Sequence, residues 1–280
     1  LPNTPAPFGQ VATSTKRWKW GRRALIAVVL GVIVLYLLAT PAGLLNKADV
    51  VGYAICHRIP SHTLLVNQRP LPLCARCTGT YLGAMLAIGV FLLARPRASE
   101  LPPLPALLTL LGFTALMGLD GLNSYLTLLP GREPFYQPHN ALRLLTGTLN
   151  GLMMGSILYP VAMGTFWRDY RPERSLRNFK ELGGLVLLAS AAVGLALTGW
   201  PVVLYPLALL TSAGVLVMLT TVNTIMLLIL ARRENTAESW RDLILPLLIG
   251  LALSLLLVGA IDVARYALTG TLTGLPGLPR

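Results

Sequence analysis

Residues 202–231 read VVLYPLALLTSAGVLVMLTTVNTIMLLILA, 30 positions without one charged side chain, and Arg232-Arg233 follow at once. At about 1.5 Å per residue, such a helix is longer than the roughly 30 Å hydrocarbon core of a bilayer. Working outward, Gly199-Trp200-Pro201 separates this run from another at 182–199, and a further one occupies 243–268. Towards the amino terminus come 141–165, 104–128, the shorter 78–94, and 24–45. The pattern predicts an all-α polytopic membrane protein with about seven transmembrane helices.

Composition agrees. The chain has 280 residues, 54% hydrophobic and 12% charged, against about 25% charged in a soluble domain. A globule in water could not be coated with so little polar surface. The run at 24–45 is long and lacks a small-residue cleavage site, so it is expected to be a retained span rather than a cleaved leader. The lipid bilayer is thus the first expected partner.

A formal net charge of +12 raises the question of nucleic acid, and its placement answers it. Basic residues gather in Lys16–Arg23, Arg95–Arg97, Arg168–Lys180 and Arg232–Arg241. Alternating spans put these clusters on one side, with 15 Lys/Arg there and 8 on the other. Enrichment of Lys/Arg marks the cytoplasmic side. The charge therefore sets orientation and no nucleic-acid partner is expected. The amino terminus is expected in the cytoplasm, with the chain multi-pass in the plasma membrane.

Residues 1–15, rich in Pro, Thr and Ser, are expected to form a flexible cytoplasmic tail, and 16–280 a single transmembrane bundle. Residues 46–77 form the longest outside loop. Asp49 to Cys56 suits a short helix along the interface, and Pro60 to Pro72, with three prolines, suits irregular backbone. Gly79 and Gly83, then Gly147, Gly151 and Gly155, recur at four-residue spacing, which lets helix backbones approach closely in lipid. Packing is the reading for these glycines.

All three cysteines and all three histidines lie between Cys56 and His139. Cys56-His57 precedes Cys74-Ala75-Arg76-Cys77, placed by the topology at the outer membrane face. Two cysteines separated by two residues can ligate one metal or form a disulfide. At a helix start, free N–H groups and the helix dipole favour thiolate, and Arg58 and Arg76 add positive charge nearby. Three readings stay open. Cys56, His57, Cys74 and Cys77 can make a Cys3His site, for zinc before iron, and the odd cysteine count favours this. It requires a sharp backbone turn, because Cys56 and His57 are adjacent; His62 or His139 could take the place of His57. Alternatively, Cys74 and Cys77 cycle as a quinone-linked thiol–disulfide oxidoreductase with Cys56 as exchange partner. The third reading is a structural disulfide with one spare cysteine. A non-enzymatic role as accessory subunit of a larger membrane complex is also open.

Charges inside spans are costly and hint at function. Asp120 and Asn123 on the third span, Asn140, Arg143, Thr146 and Asn150 on the fourth, and Asp262 and Arg265 on the last share a level with the cysteines. Asp120 with Arg143, and Asp262 with Arg265, are the expected pairs. Asp120 and Arg143 are expected to face inward beneath the cluster, either as a structural pair or as catalytic candidates lining a polar pocket open to the outside. Asn223 is expected to hydrogen-bond a neighbouring helix, and His139 to sit in a loop.

Cys56-His57-Arg58-Ile59-Pro60 and Pro72-Leu73-Cys74-Ala75-Arg76-Cys77-Thr78-Gly79-Thr80-Tyr81-Leu82-Gly83 resemble a family of prokaryotic predicted membrane proteins of unassigned function. Its members share C-H-R-x-P and P-L-C-x-R-C-T-G-x-Y-x-G segments, the second opening a transmembrane helix. The resemblance extends through Asp120 and the 140–147 stretch. Ser61-His62-Thr63 departs from it, because members carry an acidic or basic pair and a serine after the proline. The resemblance implies that the Cys/His cluster acts as a unit and names no reaction.

Overall fold

The computed structural model describes residues 12–127 and 134–272, with side chains from residue 23 onward. Eight α-helices make up the described chain: α1 (Ala12–Ala39), α2 (Leu44–Ile55), α3 (Ala75–Ala94), α4 (Leu104–Leu126), α5 (Asn140–Phe166), α6 (Phe179–Leu197), α7 (Pro201–Leu230) and α8 (Trp240–Thr269). Six of them, α3 to α8, are long and apolar enough to cross a membrane. A seventh span results if the bent pair α1–α2 is counted as one. The protein is an all-α polytopic membrane protein.

The expected first span at 24–45 is corrected by a 107° bend between α1 and α2. Pro41 disfavours helical backbone at Thr40, and Gly43 takes φ 96°, which suits only glycine without strain. Lys47 then turns back and donates to the Leu37 carbonyl at 2.6 Å and to the Thr40 hydroxyl at 2.9 Å, capping α1. Of the tail expected at 1–15, residues 12–15 are already helical, and the rest lies outside the described residues. Gly199-Trp200-Pro201 does break the chain, with Gly199 at φ 73° and Pro201 at the first position of α7.

The bundle is organised on α3 and α5. A Cβ on Gly83 would lie 2.0 Å from the Thr148 carbonyl oxygen, and one on Gly151 2.0 Å from that of Thr80. Only glycine allows this approach, so the packing role expected for these residues is the one they have. Asn223 donates to the Ser254 hydroxyl at 2.9 Å, tying α7 to α8 as expected.

The two ends of the bundle differ. At one end β3 (Ala98–Glu100) pairs in parallel with β4 (Arg171–Arg174). There the Arg168 N–H also donates to the Ala237 carbonyl at 2.9 Å. Three of the basic segments thus meet at one end of the molecule. The beginning of α3, with its cysteines, stands at the other. In the 60–72 segment the expected irregular backbone is partly replaced by order: a 3-10 turn (Pro60–His62) and a two-residue hairpin of β1 (Leu65–Val66) and β2 (Arg69–Pro70). Its turn residues Asn67 and Gln68 both have positive φ, the geometry that matches the twist of a tight hairpin.

Candidate metal centre

Cys56 caps the end of α2, Cys74 caps the start of α3, and Cys77 lies in the first turn of α3. Their side chains converge: the three sulfur atoms lie within 4.8 Å of one another. None is in a disulfide, and Cys56 and Cys74 are buried. The approach of the two helix ends depends on Gly52, where a Cβ would fall 2.1 Å from the Pro72 carbonyl oxygen. Sequence reading passed over Gly52, one turn before Cys56, because it stands outside the repeated glycine pattern.

Cys56 itself is extended, at φ −122° and ψ 139°, and the sharp turn falls after His57. Arg58 adopts φ 48°, in the left-handed region. This aims its N–H at Cys56 Sγ (3.4 Å), and the Cys74 N–H reaches the same sulfur at 3.2 Å. Two N–H donors on one sulfur stabilise thiolate over thiol. Hydrogen bonds from the Cys74 and Cys77 side chains push the Cys56 thiol well below its ordinary pKa in the same direction.

His57 Nδ1 is 3.6 Å from Cys56 Sγ. It does not belong to the tight group of three sulfurs. Hydrogen bonds to Cys56 and then Cys74 raise its pKa to about 9, outweighing burial. His62 Nδ1 lies 3.5 Å from His57 Nε2. Burial, and after it the charge of Arg143, lowers the His62 pKa to about 4, so this ring is neutral. A neutral His62 can accept a hydrogen bond from the His57 Nε2–H, which orients the ring with Nδ1 towards the sulfurs. The departure at Ser61-His62-Thr63 thus brings a second imidazole to the cluster. His139 is not part of this group: its Nδ1 caps α5 by accepting from the Leu142 N–H at 3.4 Å.

The arginines expected to favour thiolate are turned elsewhere. Arg58 pairs with Asp49 at 3.0 Å and lies 4.6 Å above the Tyr53 ring. Arg76 forms an ion pair with Asp120 and donates to the Ser124 hydroxyl at 3.1 Å. This corrects the expected Asp120–Arg143 pair. Asp120 and Arg143 are both buried, at 3% and 4% exposure, yet Asp120 is shared by Arg76 and the Tyr136 hydroxyl (2.7 Å). Arg76 stands closer because it leaves the first turn of α3, between the cysteines, towards α4. Among the described residues Arg143 bonds neutral groups, the Asn140 amide oxygen at 2.9 Å and the Ser124 hydroxyl at 3.4 Å. Among the described residues no carboxylate forms an ion pair with it. Asn123 binds the 135–136 backbone, and Asn150 accepts from Thr114 at 2.9 Å.

The expected Asp262–Arg265 pair is also replaced. Arg265 Nη1 donates to the carbonyls of Tyr53 and Cys56, each at 2.7 Å, and Nη2 to that of His57 at 3.3 Å. The end of α2 has carbonyls without intrahelical partners, and a guanidinium satisfies several at once. No sequence signal joined residues more than 200 positions apart.

Fold and site together define a polytopic helical membrane protein with a buried thiol–imidazole cluster at one end of its bundle. Residues 56–157 match the family described as "Predicted membrane protein (DUF2085)". An uncharacterized protein of Methanothermobacter thermautotrophicus is 38% identical over 77 residues, covering 26% of this chain and 69% of that protein. The chain belongs to this family of predicted membrane proteins. No solved structure matches it. The matched stretch contains the three cysteines, His57, α3, α4 and most of α5, and leaves out α6 to α8 with Arg265.

Proposed function

We propose that this is an integral membrane metalloprotein whose centre is held by Cys56, Cys74 and Cys77 with His57 as fourth ligand. The observation that carries the reading is the convergence of three sulfurs within 4.8 Å, with the His57 nitrogen 3.6 Å from one of them. Tetrahedral zinc with Zn–S of about 2.3 Å and Zn–N of about 2.0–2.1 Å requires S···S near ~3.8 Å and S···N near ~3.6 Å. A small contraction of the sulfurs and a swing of the His57 ring complete such a site. Zinc is favoured over iron because a closed tetrahedron of soft donors asks for no other geometry.

Charge supports the same reading. Arg58 and Arg69 share Asp49, and Arg76 has Asp120. Among the described residues no carboxylate forms an ion pair with Arg143, and a divalent ion on three thiolates carries one net negative charge. We assign Asp120 to the ion pair that holds α3 against α4, and Arg143 to the counter-charge of the centre. We place the protein in a plasma membrane with the cluster outside, on the strength of the basic segments gathered at the opposite end.

Metal analysis of protein purified in mild detergent tests the reading. Wild type should carry close to one equivalent of zinc, and Cys56→Ser, Cys74→Ser and Cys77→Ser should each lose it. Less than ~0.2 equivalents of any transition metal in wild type would end it, since closed zinc sites hold metal near stoichiometrically.

A further inference from the structure

A second feature stands at the opposite end of the bundle from the cysteines and does not rest on the metal reading. Between α3 and α6 runs a groove of about 320 Å³, lined by Val90, Phe91 and Ala94 on one side and Gly184, Leu185 and Leu188 on the other. Ala94, Gly184 and Leu188 are exposed, and on a transmembrane bundle such apolar surface meets acyl chains. Arg95 and Glu181 stand at the groove's basic end, where Arg95 Nη1 donates to the Glu181 carboxylate at 2.9 Å and to the Ser175 carbonyl at 3.0 Å. Positive charge is in excess there. Among the described residues Arg95, Arg171, Arg174, Arg177 and Lys180 stand against three carboxylates, Glu100, Glu173 and Glu181. Glu173 is shared by Arg171 at 3.9 Å and Arg177 at 2.6 Å, and Arg174 is 3.8 Å from Glu100. Lys180 is exposed and pairs with none of the three. Four-residue spacing puts it on the face of α6 that carries Gly184 and Leu188, one turn nearer the basic end.

We infer that the groove holds one acyl chain of an anionic phospholipid, with the lipid phosphate at Lys180. The excess of cations selects a head group of net negative charge, because a zwitterionic head brings a cation of its own to the same place. Arg95 is saturated by Glu181 and by the carbonyls of Arg174 and Ser175, so it ties α3 to α6 and leaves recognition to Lys180. A groove of this volume suits one chain and not a docked helix, which is about 10–12 Å across. On the proposed sidedness this end lies at the cytoplasmic leaflet, where anionic lipids gather.

Gly184 makes the test clean, because a Cβ there meets nothing within 4 Å. Gly184→Leu therefore fills the groove without disturbing a packed contact, and Lys180→Gln removes the cation while leaving the groove open. Native mass spectrometry of the full chain in mild detergent compares phosphatidylglycerol with phosphatidylcholine of the same acyl chains. Wild type should retain one equivalent of phosphatidylglycerol roughly fivefold or more tightly, the effect of one surface cation on an anionic lipid. Lys180→Gln should bring the two lipids to within about twofold of each other. Gly184→Leu should lose the bound equivalent with its melting temperature retained. The measurement needs neither a bilayer nor a metal, so it is independent of the sidedness and of the cysteine centre. Equal affinity for the two lipids in wild type, an unchanged preference in Lys180→Gln, or undiminished binding to Gly184→Leu would overturn the proposal. Equal competition by glycerol phosphate, which has no chain, would overturn it too. So would a change of oligomeric state in Gly184→Leu, which would assign the groove to a second copy of the chain.

Discussion

Arg265, near the end of the last helix, donates to the carbonyl oxygen of Cys56 at 2.7 Å and so fixes the backbone of the candidate metal centre from the far end of the chain. The same guanidinium holds Tyr53 and His57, so three carbonyls depend on one side chain. Orphaning buried carbonyls costs about 1–3 kcal/mol each. Arg265→Ala should lower stability by about 2–4 kcal/mol, given partial rescue by water, and reduce metal retention. Arg265→Lys should restore part of both. Thermal unfolding and metal content of the two variants check this, and a neutral Arg265→Ala would contradict the clamp.

Asp120 answers to Arg76 rather than Arg143. Removing the carboxylate alone leaves a guanidinium uncompensated, a change that typically costs about 3 kcal/mol or more. The double variant Arg76→Ala/Asp120→Ala should therefore be far less harmful than the sum of the two single variants. In double-mutant cycles the 76/120 coupling should exceed the 143/120 coupling by at least about 1 kcal/mol. The reverse order would restore the pair expected from sequence.

Glycines on the α3–α5 contact should tolerate nothing larger. Gly151→Ala drives a methyl to 2.0 Å from the Thr80 carbonyl oxygen, where a backbone must move. A loss of about 1–3 kcal/mol is expected from such overpacking. Gly183→Ala, on α6 with open space around it, should be neutral or stabilising by up to about 1 kcal/mol. Parallel melting curves distinguish the two sites.

Orientation can be read on intact cells. Leu65 on the hairpin and Glu234 in the α7–α8 connection are both exposed. Leu65→Cys should react with a membrane-impermeant maleimide from outside, and Glu234→Cys only after lysis. Labelling in the opposite order would invert the proposed sidedness.

Much of this architecture is legible in the sequence because bilayer physics leaves few options: long uncharged runs must be helices, and glycines four apart must be contacts. The cluster is legible for a similar reason, since Cys56, His57, Cys74 and Cys77 are the concentrated soft ligands of the chain. Ion-pair partners are less legible. Depth alone matched Asp120 with Arg143, whereas partner choice depends on helix rotation, which turns Arg76 towards α4. The break at Thr40–Gly43 was hidden by the hydropathy of 24–45, although Pro41 and Gly43 carry the signal. Gly52 and Arg265 act through tertiary contacts that no local pattern announces.

X-ray absorption at the zinc edge of the purified protein tests the central claim most directly. Cys56, Cys74, Cys77 and His57 should give a shell of three sulfurs at about 2.3 Å and one nitrogen at about 2.0–2.1 Å. In His57→Ala the nitrogen contribution should change while the three sulfurs remain. A shell of nitrogen and oxygen alone, or metal-free protein with Cys74 and Cys77 joined as a disulfide, would contradict the account.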